Sequence, residues 1–228
     1  MLTITSYGHS CHQISDGQHT VIFDPFLDGN PDATVKWEDV SVDAVLISHG
    51  HADHLGDGVR IARKCHKPII APYELAMYCQ LQGADIHPMH IGGSYQFDFG
   101  LVRLTPAVHG SAVVGERIVY TGLACGFIVE MGRKTLFFAG DTGLFGDMEL
   151  IGRRNHIDVA LLPIGGNFTM DMDDAIEAAK MLRPGLIIPM HYNVWPVIRQ
   201  DPGEFRRKCG LSRLRCIVLR PGESTTLK

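Results

Sequence analysis

Residues 43–54 read Asp43-Ala44-Val45-Leu46-Ile47-Ser48-His49-Gly50-His51-Ala52-Asp53-His54. Asp43 to Ser48 is an apolar run of the kind that forms a buried strand. It leads straight into three imidazoles and a carboxylate. On a helix, positions 49 and 51 would point about 200° apart, whereas in an extended segment residues two apart share a face. His49 and His51 can therefore grip one ion. Asp53 and His54, at the turn into a following helix, can reach a second ion beside it. Gly50 and Gly56 permit the tight backbone such a cluster needs.

Three more ligand-type residues end predicted strands. His109 follows Leu101 to Val108, Asp141 follows Leu136-Phe137-Phe138, and His191 follows Ile187-Ile188-Pro189-Met190. Sites in α/β sheets gather outside the strand C-termini, so all three are expected at the edge that carries residues 49–54. Asp24 also ends an apolar strand, and its expected role is to orient a ligand imidazole. His9, in Gly8-His9-Ser10, is read either as a substrate-side acid or hydrogen-bond donor or as a surface histidine. His12, His19, His66, His87, His90 and His156 form no ligand pattern and are read as surface or structural.

Working outward, the N-terminal segment predicts a β-meander: Leu2 to Thr5, Cys11 to Ile14, and His19 to Phe23 after an Asp16-Gly17 turn. Residues 28 to 40 read as a loop. Helices are expected over Leu55 to Lys64, Tyr73 to Gln82 and Met172 to Leu182, with a helical turn at Phe205 to Lys208. Further strands are expected at Ile69-Ile70, within Tyr95 to Val108, over Gly122 to Met131 and Thr135 to Ala139, and at Asp158 to Leu162, Leu186 to Pro189 and Arg215 to Leu219.

The two halves echo each other. Val21 to Asp24 and Leu136 to Asp141 each bring an apolar strand to an aspartate, and a second apolar strand follows about 20 residues later. Two such halves, each a mixed sheet with helices outside, give an α/β protein built as a four-layer αββα sandwich. No linker divides residues 1–228, so one domain is expected.

Composition narrows the function. Hydrophobic residues make up 45% of the 228, enough for a sizeable core, and disorder is excluded. A net charge of −4 gives no electrostatic footprint for nucleic acid or an anionic membrane surface. No apolar run approaches the roughly 20 residues of a membrane helix, and the N-terminal residues do not read as a secretory signal. The six cysteines include no C-x-x-C pair and are read as reduced thiols of a cytoplasmic protein. Oligomeric state stays open, with a homo-oligomer among the states allowed. No Gly-x-Ser-x-Gly elbow, Walker loop or Gly-x-Gly-x-x-Gly fingerprint is present; Gly165-Gly166-Asn167 is a weak signal for a substrate loop.

The run His49-x-His51-x-Asp53-His54, with His109, Asp141 and His191 in that order, resembles the metallo-β-lactamase superfamily. Tyr7-Gly8-His9-Ser10, Phe23-Asp24-Pro25, Phe168-Thr169-Met170-Asp171 and Pro189-Met190-His191-Tyr192-Asn193 are similar to its small metal-dependent hydrolase branch near the ascorbate-6-phosphate lactonases. The resemblance implies an αββα sandwich with two metal ions. By that likeness His49, His51 and His109 hold one, Asp53, His54 and His191 hold the other, and Asp141 bridges them. Zn²⁺ suits the donors, and Mn²⁺ or Fe²⁺ is also accepted.

The expected activity is hydrolysis of an ester-type bond in a small molecule, a lactone or carboxylic ester, with Asp53 also accepting the proton of the attacking water. A phosphodiesterase of the same fold and a non-catalytic metal-binding or sensing module are the alternatives.

Overall fold

The computed structural model describes residues 1–228. Its first sheet holds seven strands: β1 (Leu2–Ser6), β2 (His12–Ser15), β3 (Thr20–Phe23), β4 (Ala44–Leu46), β5 (Ile69–Pro72), β6 (Ile86–Met89) and β15 (Ser224–Leu227), in the order β15-β1-β2-β3-β4-β5-β6. The second holds six: β7 (Ser94–Phe97), β8 (Gly100–Pro106), β11 (Cys125–Met131), β12 (Lys134–Phe138), β13 (Val159–Pro163) and β14 (Ile187–Met190), in the order β14-β13-β12-β11-β8-β7. A separate hairpin, β9 (Ala112–Val114) with β10 (Ile118–Tyr120), lies between β8 and β11 in the chain.

The sequence echo has a structural counterpart. β3 and β4 pair in parallel, with Val21 opposite Ala44, and β12 and β13 pair in parallel, with Leu136 opposite Val159. Asp24 and Asp141 come just after β3 and β12, the first strands of these two pairs.

The period-2 alternation of the strands sorts side chains between layers. Phe23, Ala44 and Leu46 face the second sheet, and Phe23 stacks on Phe138 with centroids 4.7 Å apart. Ile22, Val45 and Ile47 face the other way, onto Ile61 and Ala62 of α2 (Gly58–Cys65) and Leu75, Ala76 and Cys79 of α3 (Tyr73–Leu81). On the far side, α5 (Met172–Leu182) buries Ala175, Ala178, Ala179 and Leu182; α4 (Met148–Arg154) and α6 (Pro202–Leu211) flank it. The architecture is the αββα sandwich.

Several elements differ from expectation. The single helix expected over Leu55 to Lys64 is two, α1 (Ala52–Leu55) and α2, broken at Gly56. Gly56 leaves the helical region at φ +41°, and the Asp57 amide donates to the Pro25 carbonyl at 2.8 Å instead of continuing α1; a Cβ at 56 would sit 2.4 Å from that carbonyl oxygen, so the break requires glycine. Arg215 to Leu219 is not a regular strand. It makes one parallel bridge, Cys216 to Ile187, before the chain crosses to the first sheet as β15. β6 contains Pro88, which lowers its strand signal and is tolerated because β6 is an edge strand. α4 and the β9–β10 hairpin carry no clear periodic pattern in the sequence. All six cysteines are free thiols, four of them buried. No helix is long and apolar enough to cross a membrane.

Candidate metal centre

The turn from β4 into α1 builds the site's first half. His51 is the N-cap of α1 with extended backbone (φ −65°, ψ 149°), and Asp53 and His54 lie in the helical turn after it. His49 and His51 therefore share a face, and the next two side chains swing to a neighbouring position. The His49 Nε2, His51 Nδ1 and His109 Nε2 atoms converge: 2.9 Å separates the first two and 3.3 Å the last two. A second group follows directly. His54 Nε2 lies 3.4 Å from Asp53 Oδ2, and His191 Nε2 lies 3.6 Å from the same oxygen. Asp141 sits between the groups, 3.2 Å from His54 Nε2 through Oδ1, and 2.9 Å from His191 Nε2 and 3.6 Å from His109 Nε2 through Oδ2. All seven residues named from residues 49–191 are brought together.

Close approach of the two sheets makes this possible. The Cys125 amide donates to the Ser48 carbonyl at 3.0 Å, joining the sheets beside His49. Gly140 fits into that seam at φ +61°; a Cβ would come within 2.6 Å of the Cys125 carbonyl oxygen and 3.0 Å of Ser48 Cβ.

Asp24 organises the donors from behind. It is fully buried and accepts from the Ser48 amide (2.7 Å), the Ser48 hydroxyl (2.6 Å) and His54 Nδ1 (2.7 Å). Because its Nδ1–H is committed to Asp24, His54 turns Nε2 toward Asp53 and Asp141. The Ser48 hydroxyl, having donated to Asp24, accepts from His49 Nδ1 at 2.9 Å, which leaves a lone pair on His49 Nε2. Asp24 also lies near His49 and His54 as a geometric ligand candidate, but its oxygens are already engaged by those donors. Ser48 was not singled out in the sequence. Its position between the strand and His49 was the available signal.

The donors fit divalent cations. His54 Nε2 and Asp141 Oδ1 are buried and have no hydrogen-bond partner. Burial disfavours charge on His54, yet Asp141, Asp53 and Asp24 outweigh it and raise its proton affinity well above the ordinary imidazole value. His191 is also driven down by burial, but Asp141 and Asp53 bring it up to about 9. Burial raises Asp141, while His54 and His191 hold it well below the usual carboxylate range. The carboxylates beside His54 and His191 thus favour a positive charge at those two Nε2 atoms, whereas burial lowers His49, His51 and His109 and keeps them neutral donors.

His9 departs from one of its two expected readings. Its side chain is fully enclosed, so it is not a surface histidine. Nε2 lies 3.0 Å from Asp53 Oδ2, and the ring packs against His191 (4.2 Å), Trp195 (5.2 Å) and Phe26 (5.9 Å). Burial pushes it down to about 4, so it is neutral near pH 7 and donates to Asp53 through Nε2. His9, Asp24 and His191 all have left-handed backbone, at φ +53°, +40° and +56°. Such strain in non-glycine residues concentrates at functional sites.

A cavity of about 370 Å³ opens over the cluster, lined by His51, Asp53, His109, Asp141 and His191 on its floor and by Phe168, Trp195 and Val197 on its wall. A wider surface cavity of about 560 Å³ beside α2 lies away from this chemistry. Two of its cations are already engaged: Arg60 with Asp28 and Asp57, Lys64 with the Glu38 and Val40 carbonyls.

The sequence profile of the β-lactamase superfamily domain matches residues 19–192. A protein of Bacillus thuringiensis named a UPF0173 metal-dependent hydrolase is 50% identical over 229 aligned residues, covering 99% of this chain and 100% of the relative. The chain belongs to the metallo-β-lactamase superfamily. It is a metal-dependent hydrolase of that superfamily. A solved structure described as a metallo hydrolase, Igni18 of the archaeon Ignicoccus hospitalis, is 34% identical with a TM-score of 0.91, covering 100% of this chain and 98% of that one. An isothiocyanate hydrolase from Delia radicum gut bacteria shares the fold at 19% identity and a TM-score of 0.79, covering 99% of each chain.

Proposed function

We propose that this metallo-β-lactamase superfamily member hydrolyses an ester-type bond, a lactone or carboxylic ester, with two divalent ions in its site. His49, His51 and His109 would hold one ion, Asp53, His54 and His191 the other, and Asp141 would bridge them. Zn²⁺ suits the imidazole and carboxylate donors, and Mn²⁺ or Fe²⁺ suits them too. The observation that carries the reading is the orientation of His54. Its Nδ1 is bound to Asp24, and its Nε2 faces two carboxylates across 3.2 and 3.4 Å.

When bound, such ions lower the pKa of a water molecule and polarise the scissile carbonyl. The chain's own groups do the rest. Asp53, the least enclosed of the two acids at 20% side-chain exposure, reaches the cavity and accepts the proton of the attacking water. His9 does not line the cavity; its Nε2–H holds Asp53 Oδ2, making it a positioning residue for that acid. Water adds to the acyl carbon and the acyl C–O bond breaks; the proton taken by Asp53 passes to the leaving oxygen to give an alcohol, and the carboxylic acid formed loses its remaining proton to solvent and leaves as a carboxylate. The Phe168, Trp195 and Val197 wall excludes bulk water from one side.

The test is metal content after purification without chelator, followed by turnover of γ-butyrolactone, 4-nitrophenyl acetate and bis(4-nitrophenyl) phosphate. The expected result is two ions per chain and acyl hydrolysis that falls by at least 100-fold in Asp53→Ala and His51→Ala. Full activity in both variants overturns the mechanism. Turnover of the phosphodiester alone favours the phosphodiesterase reading, and bound metal with no turnover favours a binding module.

A further inference from the structure

We infer that the substrate carries an uncharged, apolar group on the side away from the bond that is cleaved, and that Phe168 and Trp195 grip that group. The inference rests on the ester-type hydrolase reading above and narrows its substrate class.

The cavity's composition carries the argument. Five of its eight lining residues are the histidines and aspartates of the metal-site cluster, and the other three are Phe168, Trp195 and Val197. No lysine, arginine, serine, threonine, asparagine or glutamine lines it. A phosphate or carboxylate tail bound there would lose its hydration and find no cation or donor beyond the metal site itself. An alkyl or aryl tail meets a wall that suits it. About 370 Å³ is at the small end of ligand pockets, matching one compact group beside the reacting bond.

The wall is built, not incidental. Phe168 is 53% exposed and Trp195 37% exposed, so both present large apolar area to an incoming molecule. The Trp195 ring is nevertheless fixed from behind by Phe26 at 6.4 Å and by His9 at 5.2 Å. The loop bearing Phe168 is tied to the site, because the Met170 amide donates to the Thr142 carbonyl at 2.9 Å. The loop bearing Trp195 and Val197 is tied to the Phe168 loop by Gln200 Nε2, which donates to the Gly165 carbonyl at 3.2 Å. Two aromatic side chains on mutually bonded loops flank one opening, and such preorganised aromatic surface binds apolar groups at little ordering cost.

The experiment uses the chain loaded with its metal and follows acid release by pH-stat. Three substrates are compared: γ-butyrolactone, the same ring bearing a γ-pentyl chain, and the same ring bearing a γ-chain of equal length ending in a carboxylate. The expected kcat/KM for the pentyl lactone exceeds both others by at least tenfold. Phe168→Ala and Trp195→Ala each reduce the ratio of pentyl to unsubstituted kcat/KM by about tenfold. Val197→Lys, which supplies the missing cation, shifts the ratio of carboxylate to pentyl by at least tenfold toward the carboxylate. Leu211→Lys, a surface change on α6 outside the cavity, leaves that ratio unchanged. Equal rates for pentyl and carboxylate lactones, or ratios unmoved by the two alanine variants, overturn the inference while the hydrolase reading stands. Failure to turn over 4-nitrophenyl acetate and all three lactones overturns the ester reading and this inference with it.

Discussion

Asp24→Asn removes one charge that, on the proposed ligand assignment, touches neither ion, and it should weaken both. In the native chain Asp24 Oδ1 accepts from the Ser48 amide, and Oδ2 accepts from the Ser48 hydroxyl and His54 Nδ1. An asparagine can keep its oxygen on the Ser48 amide, but its Nδ2 then meets two donors. Ser48 responds by turning its hydroxyl proton to His49 Nδ1, and His54 by accepting at Nδ1. Each imidazole then carries its proton on Nε2, the atom that has to bind metal. Losing a group that orients a ligand imidazole typically costs 10–100-fold in metal affinity, about 1.4–2.7 kcal/mol for each ion. Ser48→Ala cuts the link to His49 and leaves His54 bound to Asp24, so it should weaken one ion by about tenfold and the other by much less. The assay is competition for zinc against a chromophoric chelator, with circular dichroism as a check on folding. Affinities within twofold of the parent for both ions in a folded Asp24→Asn protein would refute the relay.

Further outcomes follow from the same contacts. Metal-free protein near pH 7 should hold protons on His54 and on His191, whose carboxylate neighbours bring it up to about 9, so loading both ions should release about two protons per chain. Because those protons compete with metal, affinity should rise from pH 6 to pH 9; calorimetry in two buffers of different ionisation enthalpy measures the release, and zero contradicts it. Chelation should lower the melting temperature by about 10–20 °C, since each of two ions at 100 times its Kd adds about 2.7 kcal/mol to a domain of this size. Gly140→Ala should destabilise even the metal-free chain by about 2–4 kcal/mol, because its Cβ would lie 2.6 Å from a carbonyl oxygen; urea unfolding with chelator present reads this directly.

What the sequence revealed divides by physical range. The metal-type cluster was legible because its signal is local: residues 49–54 change from strand periodicity to a polar turn within one window. His109, Asp141 and His191 were legible because strand C-termini on one sheet edge have few places to point. The helix expected over Leu55 to Lys64 was half right, since the break at Gly56 depends on the Pro25 carbonyl, which is remote in sequence. Trp195 and Val197 carry no motif. They enter the cavity because Gln200 ties their loop to Gly165, a contact that only the folded chain creates. The enclosure of His9 likewise comes from rings remote from it in sequence, Phe26, His54, His191 and Trp195. Its positive φ has no signature in a histidine at all.

The central claim is that seven side chains from residues 49 to 191 converge on two cations. Anomalous diffraction from crystals grown with excess zinc, collected above and below the zinc edge, tests it most directly. The account predicts two zinc peaks per chain, one among His49, His51 and His109, the other among Asp53, His54 and His191, with Asp141 between them. A single peak that leaves His109 or His191 unliganded, or peaks only on surface histidines such as His66 or His156, would contradict it.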